Sequence, residues 1–292
     1  MNEFAELVGN SGPVTVAGGK TRWHVGGDVH PEAREVQAPT GVVSYDPAEM
    51  TVKVNAGTTT AELTSVLAES GQRCALPERG GTVGGSLAVG ENHVEVLGRG
   101  WLTTSVLQVT YISAEGKIVR GGGPTVKNVS GFDLPRLIVG SLGTLGLIGE
   151  VILRTNPIPQ QSKWFESNDA DPFTVTSQVL RPSAVLWNGA STRVLLEGHE
   201  LDVTASKSSL SDIGSWNEVD GGFDLPKHRW SLTPTELKTC TGTFVASVAV
   251  GTVWRDEPQP ARALPQSVID ISTRLKANFD PTGRLNPGRS VF

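Results

Sequence analysis

Apolar and polar positions change period several times along the chain, and each change predicts an element. Glu3 to Val8 reads as a short helix, and Val14-Thr15-Val16-Ala17 as a strand running into Gly18-Gly19. Val42 to Tyr45 and Thr51 to Asn55 read as two strands joined by the turn signal Asp46-Pro47; the second alternates Val52, Val54, Ala56. Thr58-Thr59-Thr60 then offer N-cap hydroxyls, Leu63, Val66 and Leu67 follow at helical spacing, and Gly71 ends the helix. Val106 to Ile112 is a strand with apolar residues on both faces, turned by Ala114-Glu115-Gly116-Lys117 into Ile118-Val119-Arg120. Asp133 is placed to cap a short helix with Pro135 near its start, and Leu145 to Leu153 reads as a buried strand.

The texture then shifts. Asn156-Pro157-Ile158-Pro159-Gln160-Gln161 predicts a linker. Beyond it, over roughly 163–255, strands such as Arg193-Val194-Leu195-Leu196 and Thr243 to Val250 alternate with short helices. Glycine thins out there, and Trp164, Trp187, Trp216, Trp230 and Trp254 appear, which predicts a second α+β domain. A Pro-rich stretch from Pro258 to Pro265 leads to a last helix near Gln266–Asn278.

Length and charge narrow the classes. A chain of 292 residues can form one large domain or two medium ones. Apolar residues at 38%, charged residues at 19% and a net charge of −5 are ordinary for a globular protein. The mild acidity argues against a nucleic-acid partner, because phosphate backbones need a basic surface. Met1-Asn2-Glu3-Phe4 is no signal-peptide start and no run is long enough to span a bilayer. The expectation is a cytoplasmic protein whose membrane contact, if any, comes through a partner. Cys74 and Cys240 form no CxxC pair and are expected to be buried thiols. The five histidines show no ligand spacing, so no metal site is expected.

Glycine changes the picture. The chain has 34, with runs at 18–19, 26–27, 80–81, 84–85, 121–123 and 221–222. Each run is either a turn or backbone that comes close to a ligand. Gly18-Gly19-Lys20-Thr21 is not a P-loop: the motif needs a further glycine where Val14 stands, and Arg22-Trp23-His24-Val25-Gly26-Gly27 does not read as a helix. Gly140, Gly143 and Gly146 have the wrong spacing for a dinucleotide fingerprint. What remains is a strand ending in a loop whose successive backbone N–H groups can face an anion. Gly80-Gly81-Thr82-Val83-Gly84-Gly85-Ser86-Leu87-Ala88, after Pro77, is a second such segment that can open a helix at Val83 and present its N-terminus to phosphate. Two such loops suggest a dinucleotide held outside the two standard fingerprints.

The run from Lys127 to Leu137 (Lys-Asn-Val-Ser-Gly-Phe-Asp-Leu-Pro-Arg-Leu), continued by Val139 to Ile148, is similar to the signature of glycolate oxidase subunits and related FAD-linked oxidases. Val43 to Met50, Gly57-Thr58 and the ending Phe279 to Arg289 resemble further parts of that family, so the likeness covers about half the chain, mostly 14–159 and 275–289. The resemblance implies the fold shared by vanillyl-alcohol oxidase and p-cresol methylhydroxylase, and it is nearest to the small FAD-binding subunit of glycolate oxidases.

The resemblance implies an α+β architecture: a p-cresol methylhydroxylase-type FAD-binding domain of two subdomains over 1–159, a short α+β cap over 160–260, and a C-terminal segment, 261–292, returning to the FAD domain. It implies that Ala17, Gly18, Gly19, Lys20 and Thr21 cradle the FAD pyrophosphate. Pro77, Gly80, Gly81, Thr82, Gly84, Gly85 and Ser86 run past pyrophosphate and ribityl chain. Asn128 and Gly131 lie near the flavin, and Gly143, Gly146 and Ile148 contact the cofactor; a loop residue bonding its own turn is the alternative for Asn128. Lys20 stands where some relatives carry a flavin-linking His, which implies non-covalent FAD. The reaction implied is oxidation of a small 2-hydroxy acid such as glycolate or D-lactate by hydride transfer to flavin, with a second flavoprotein subunit and an iron–sulfur subunit as partners. The catalytic residues are not identified by sequence. His228 is a candidate base and Arg229 and Arg193 are candidate carboxylate-binding cations, each also readable as a surface or ion-paired residue. The Gly-Asp-Gly-Asn run and His pairs of larger relatives are missing, which leaves a non-catalytic FAD-holding scaffold, or a stand-alone alcohol or sugar oxidase, as alternatives.

Overall fold

The computed structural model describes residues 1–124 and 133–290. They divide into two compact units. Unit 1 comprises Met1–His93, Trp101–Ile158 and Arg262–Phe292, and unit 2 comprises Val94–Gly100 and Pro159–Ala261.

In unit 1 the chain runs α1 (Asn2–Val8), β1 (Val14–Val16), β2 (Arg34–Val36), β3 (Val42–Asp46), β4 (Thr51–Asn55), α2 (Thr60–Ala68), β5 (Gln72–Cys74) and α3 (Val83–Val89). The short turn α4 (Val96–Arg99) belongs to unit 2. Unit 1 resumes with α5 (Leu102–Ser105), β6 (Val106–Ile112), β7 (Ile118–Gly122), α6 (Leu134–Ile138) and β8 (Leu147–Pro157). Helix starts follow local chemistry. The Thr59 hydroxyl accepts from Glu62 N at 3.1 Å, and Asp133 Oδ1 from Arg136 N at 3.2 Å; each such cap contributes about 1 kcal/mol. A sheet in the order β3-β4-β8-β6-β7, with β5 also on β8, is antiparallel throughout, whereas β1 and β2 form a separate parallel pair. Val52, Val54, Leu63, Leu67, Leu87, Ile112, Val151 and Leu153 fill the core between sheet and helices.

Of the stretch expected as a linker over 156–161, Ile158, Pro159 and Gln160 lie outside any strand and span the boundary between the units, while Asn156 and Pro157 still belong to β8 and Gln161 opens the next strand. Cys74, Arg73 and Gln72 pair with Thr155, Asn156 and Pro157, so a partner distant in sequence carries β8 past the point where local composition stops it. The last helix of the chain, Gln266–Phe279, ends at Asp280, whose carboxylate accepts from Arg284 N at 3.0 Å and Leu285 N at 2.8 Å. Arg284 is buried and donates to Val8 O at 2.7 Å, Gly12 O at 2.9 Å and Ala114 O at 3.1 Å. Burial pulls its basicity down while Asp280 opposes the shift. The C-terminal segment is thereby tied into unit 1 next to β1, where Val14 bridges Leu285.

Unit 2 continues with β9 (Gln161–Ser167), α7 (Pro172–Gln178), β10 (Ala184–Trp187), β11 (Thr192–Gly198), α8 (Glu200–Ser211), β12 (Asn217–Val219), β13 (His228–Ser231), α9 (Pro234–Lys238), β14 (Val245–Ser247) and β15 (Thr252–Arg255); the Gln266–Phe279 helix of unit 1 is α10. Its strands form one antiparallel sheet, β12-β9-β11-β10-β14-β15-β13. Phe165, Val185, Val194, Leu196, Leu210, Leu237 and Val253 are buried in its core. Thr243 to Val250, read as a strand, is β14 followed by the 3-10 turn Val248–Val250, because Gly251 at φ 65° turns the chain back into β15. Val94–Gly100, read with the first domain, groups with unit 2: Val94 packs beside Leu186, Val245 and Trp254, and a Cβ at Gly98 would stand 2.5 Å from Ser183 Oγ. Cys74 is buried, but Cys240 is half-exposed, with Arg255 Nη2 at 2.9 Å from its sulfur.

Candidate functional site

At the C-terminal end of β1 the chain leaves the ladder. Ala17 N still bonds Val36 O at 2.9 Å, but the backbone N–H groups of Gly18, Gly19, Lys20 and Thr21 find no acceptor among the described residues. Lys20 takes φ 52°, the left-handed turn that directs successive N–H groups into a concave anion site. The two glycines are required by close approach. A Cβ at Gly18 would lie 2.6 Å from Thr82 Oγ1, and one at Gly19 would lie 3.2 Å from the Gly81 Cα. The loops around 18–21 and 80–82 therefore touch backbone to backbone, as no side-chain-bearing pair could.

Beside this contact lies a cavity of about 250 Å³ lined by Val16, Ala17, Gly18, Gln37, Ala38, Thr40, Ala56, Gly57, Thr82, Gly84, Gly85, Ala88, Leu142, Gly143, Leu147, Ile148 and Asn286. A second, of about 90 Å³, shares Val16, Gly18, Thr82, Gly85, Ala88, Leu142 and Asn286 and adds Gly19, Lys20, Thr21, Arg22, Trp23, Val25, Val89 and Arg289. Together they make one groove with backbone and small side chains for walls. Asn286 closes it from the C-terminal segment, accepting from Thr15 Oγ1 at 2.6 Å and donating to Leu142 O.

Of the residues singled out by sequence, Ala17, Gly18, Gly19, Lys20, Thr21, Thr82, Gly84, Gly85, Gly143 and Ile148 line the groove. Gly80 and Gly81 lie just behind, with a Cβ at Gly81 only 2.6 Å from Thr21 Oγ1. Pro77 and Ser86 are buried, and the Ser86 hydroxyl has no partner. Gly146 packs against Tyr111, where a Cβ would meet the ring at 2.3 Å, so its want of a side chain already has a structural cause. Asn128 and Gly131 lie outside the described residues.

The N-terminus of α3 differs from expectation. Val83 N bonds Thr58 O, Gly84 N bonds Ala56 O and Gly85 N bonds Thr82 Oγ1. Its first-turn donors are spent inside the protein, and the unspent ones sit in the 18–21 loop. Sequence reasoning also missed Leu142, Asn286 and Arg289 as groove residues. Asn286 and Arg289 lie in the C-terminal run whose likeness to the family was visible, but nothing local placed that run beside β1.

The polar surroundings are built from long-range pairs. Lys20 Nζ lies 2.8 Å from Glu35 and 4.7 Å from the Trp23 ring centre. Arg289 stacks on the other contact of Trp23 at 5.0 Å and donates to Val25 O at 2.7 Å and to Gly27 O. Burial lowers the Arg289 pKa, with Asp28 acting against it. Arg22 pairs through Nε with buried Glu91, and its Nη1 donates to Gly80 O at 2.9 Å.

In unit 2, Arg193 is committed: it pairs with Glu166 at 3.2 Å, donates to Gly221 O and Gly222 O at 2.9 Å, and lies 4.3 Å from the Phe223 ring centre. His228 and Arg229 sit on β13, paired with Arg255 and Trp254 of β15.

A strand ending in N–H groups without protein acceptors, two glycine loops in contact and a partly apolar groove beside them are suited to hold a dinucleotide. Residues 4–122 match the FAD binding domain family. The chain is 31% identical over 233 residues to the glycolate oxidase subunit GlcE of Escherichia coli, covering 76% of this chain and 65% of that protein. It is 30% identical over 151 residues to the glycolate oxidase subunit GlcD of Bacillus subtilis, covering 49% of this chain and 31% of that one. A D-lactate dehydrogenase of Archaeoglobus fulgidus matches at 41% over 76 residues, 26% of this chain and 17% of its own length. Thus the chain spans less than two thirds of the length of these curated relatives. Among solved structures, alkyldihydroxyacetonephosphate synthase superposes with a TM-score of 0.70 at 14% identity over 98% of this chain and 72% of its own. The grass pollen allergen Phl p 4 does so at 0.58 and 17% identity over 75% and 50%. These share the fold. Residues 4–122 thus carry an FAD binding domain, and the fold is of the p-cresol methylhydroxylase type.

The residues present fit FAD. The N–H groups of Gly18 to Thr21 would hold the diphosphate, in a loop whose close approach to Gly81 and Thr82 requires both glycines, and the Ala and Leu walls of the groove suit the uncharged parts of the cofactor. Lys20 offers no imidazole for a covalent link.

Proposed function

We propose that this chain is the FAD-binding subunit of a glycolate oxidase-like complex that oxidises a small 2-hydroxy acid, glycolate or D-lactate. The observation that carries this is the match to a glycolate oxidase subunit over 76% of the chain, joined to a groove whose backbone donors are left for an anion. Bound non-covalently, FAD supplies the two-electron acceptor for the substrate's hydride. The chain's part is to orient and shield it: residues 18–21 hold the phosphates, and Leu142, Leu147 and Ile148 keep water from the groove. The candidate residues binding FAD are Ala17 to Thr21, Thr82, Gly84, Gly85, Gly143 and Ile148, with Pro77, Gly80, Gly81, Ser86, Asn128, Gly131 and Gly146 in support.

The partners are a second flavoprotein subunit and an iron–sulfur subunit, the first suggested by the additional likeness to the Bacillus subtilis subunit. Among the described residues no helix is long and apolar enough to cross a membrane, so membrane association would come through that complex. A non-catalytic FAD-holding role is the second reading. It is favoured by Arg193, whose guanidinium is occupied by Glu166 and the 221–222 carbonyls.

Anaerobic addition of glycolate or D-lactate, to the isolated chain and to the purified complex, separates the readings. Bleaching of flavin absorbance by the chain alone establishes catalysis in this subunit. Bleaching only in complex supports the holding role, and a colourless folded protein that cannot be reconstituted with FAD overturns both.

A further inference from the structure

A buried charge cluster behind the 18–21 loop has no part in the function described so far. Glu91 has 6% of its side chain exposed and accepts from Arg22 Nε and, at 3.0 Å, from Arg79 Nη1. Arg22, with 10% exposed, also donates through Nη1 to Thr21 Oγ1 at 3.1 Å and to Gly80 O at 2.9 Å, so it joins the two glycine loops. Two guanidiniums thus face the Glu91 carboxylate, and Arg22 also lines the smaller cavity. Arg22 Nη2 is shielded from solvent and has no hydrogen-bond partner among the described residues. A charged donor left in that state is costly unless something supplies an acceptor.

We propose that Arg22, set in place by Glu91, is the cationic contact for the diphosphate of the cofactor, adding one charged donor to the neutral N–H nest of residues 18–21. This rests on the FAD reading and deepens it. Glu91 acts through Arg22 and is a positioning residue. Glu91 holds Nε, Thr21 and Gly80 hold Nη1, and Nη2 is left to meet an anion, a division of donors that a lysine ammonium cannot reproduce.

The test is fluorescence titration of the full-length apoprotein with FAD, and displacement with ADP, at a series of salt concentrations. Arg22→Met is expected to weaken both ligands by about 10- to 100-fold, the weight of one charge-assisted hydrogen bond, and to make binding less salt-dependent. Glu91→Gln is expected to give a smaller loss of the same kind, and Arg22→Lys to recover the salt dependence but only part of the affinity. A merely structural Arg22 would lower affinity without changing the salt dependence, and that result overturns the proposal. So does an Arg22→Met protein that binds FAD within threefold of wild type. If Arg22→Met does not fold, the same criteria apply to the neutral Arg22→Gln. Failure of the wild-type chain to bind FAD at all instead overturns the FAD reading beneath it.

Discussion

The groove of unit 1 and the sheet of unit 2 treat polar groups in opposite ways. In unit 2, arginines are engaged by the fold through their terminal nitrogens, although the Nε atoms of Arg193 and Arg255 are buried with no hydrogen-bond partner among the described residues. Arg193 is paired, hydrogen-bonded and stacked on Phe223, and Arg255 donates to Thr241 O at 2.7 Å with its guanidinium 4.8 Å from the Trp230 ring centre. Trp187 and Phe244 meet edge to face at 5.1 Å beneath them. In unit 1, the walls of the groove are glycine, alanine and threonine, and the N–H groups of residues 18–21 are left without acceptors. Residues 18–21 are exposed beside a cavity, so these donors are open to water or to an anionic ligand.

The largest expected effect tests whether the C-terminal segment belongs to the groove's framework. Arg284→Met leaves the carbonyls of Val8, Gly12 and Ala114 without their donor and should cost about 3 kcal/mol or more of unit 1 stability, read by thermal unfolding. Next, Gly18→Val brings a branched side chain against Thr82 and should weaken FAD binding about 100-fold, or about 2.7 kcal/mol, with the unit 2 transition unmoved. Retained affinity would break the assignment of this loop.

Arg193→Met should lower unit 2 stability by about 1–2 kcal/mol and leave FAD affinity unchanged. Loss of substrate turnover with stability intact would instead make Arg193 a catalytic cation. The smallest effect is in pH. Burial pushes the Glu166 pKa up, but the Ser191 hydroxyl and the Arg193 guanidinium outweigh it and hold the carboxyl below its ordinary 4.5. The stabilisation is thus present above that value and fades as pH falls through the depressed one. Calorimetry should show a small acid loss in the wild type that is reduced in Arg193→Met, where only the Ser191 hydroxyl still favours the carboxylate.

Much of this was legible locally. The helix caps at Thr59 and Asp133, the alternation of Val52 and Val54 and the glycine loop after Val16 follow from short-range sterics and hydrogen bonding, which neighbouring residues specify. The likeness of Lys127 to Ile148 to FAD-linked oxidases carried the family, since a long run of matched residues is far less degenerate than any glycine pair.

Tertiary structure decided the rest. Only pairing with β5 turned the proline-containing stretch after Arg154 into strand, and only the packing of the 80–82 loop against residues 18–21 showed which donors are spent and which remain. Asn286 reaches Thr15 and Leu142 across 271 and 144 positions of sequence. No local pattern encodes such a contact, because its partners are chosen by the closing of the whole unit and not by the residues beside it.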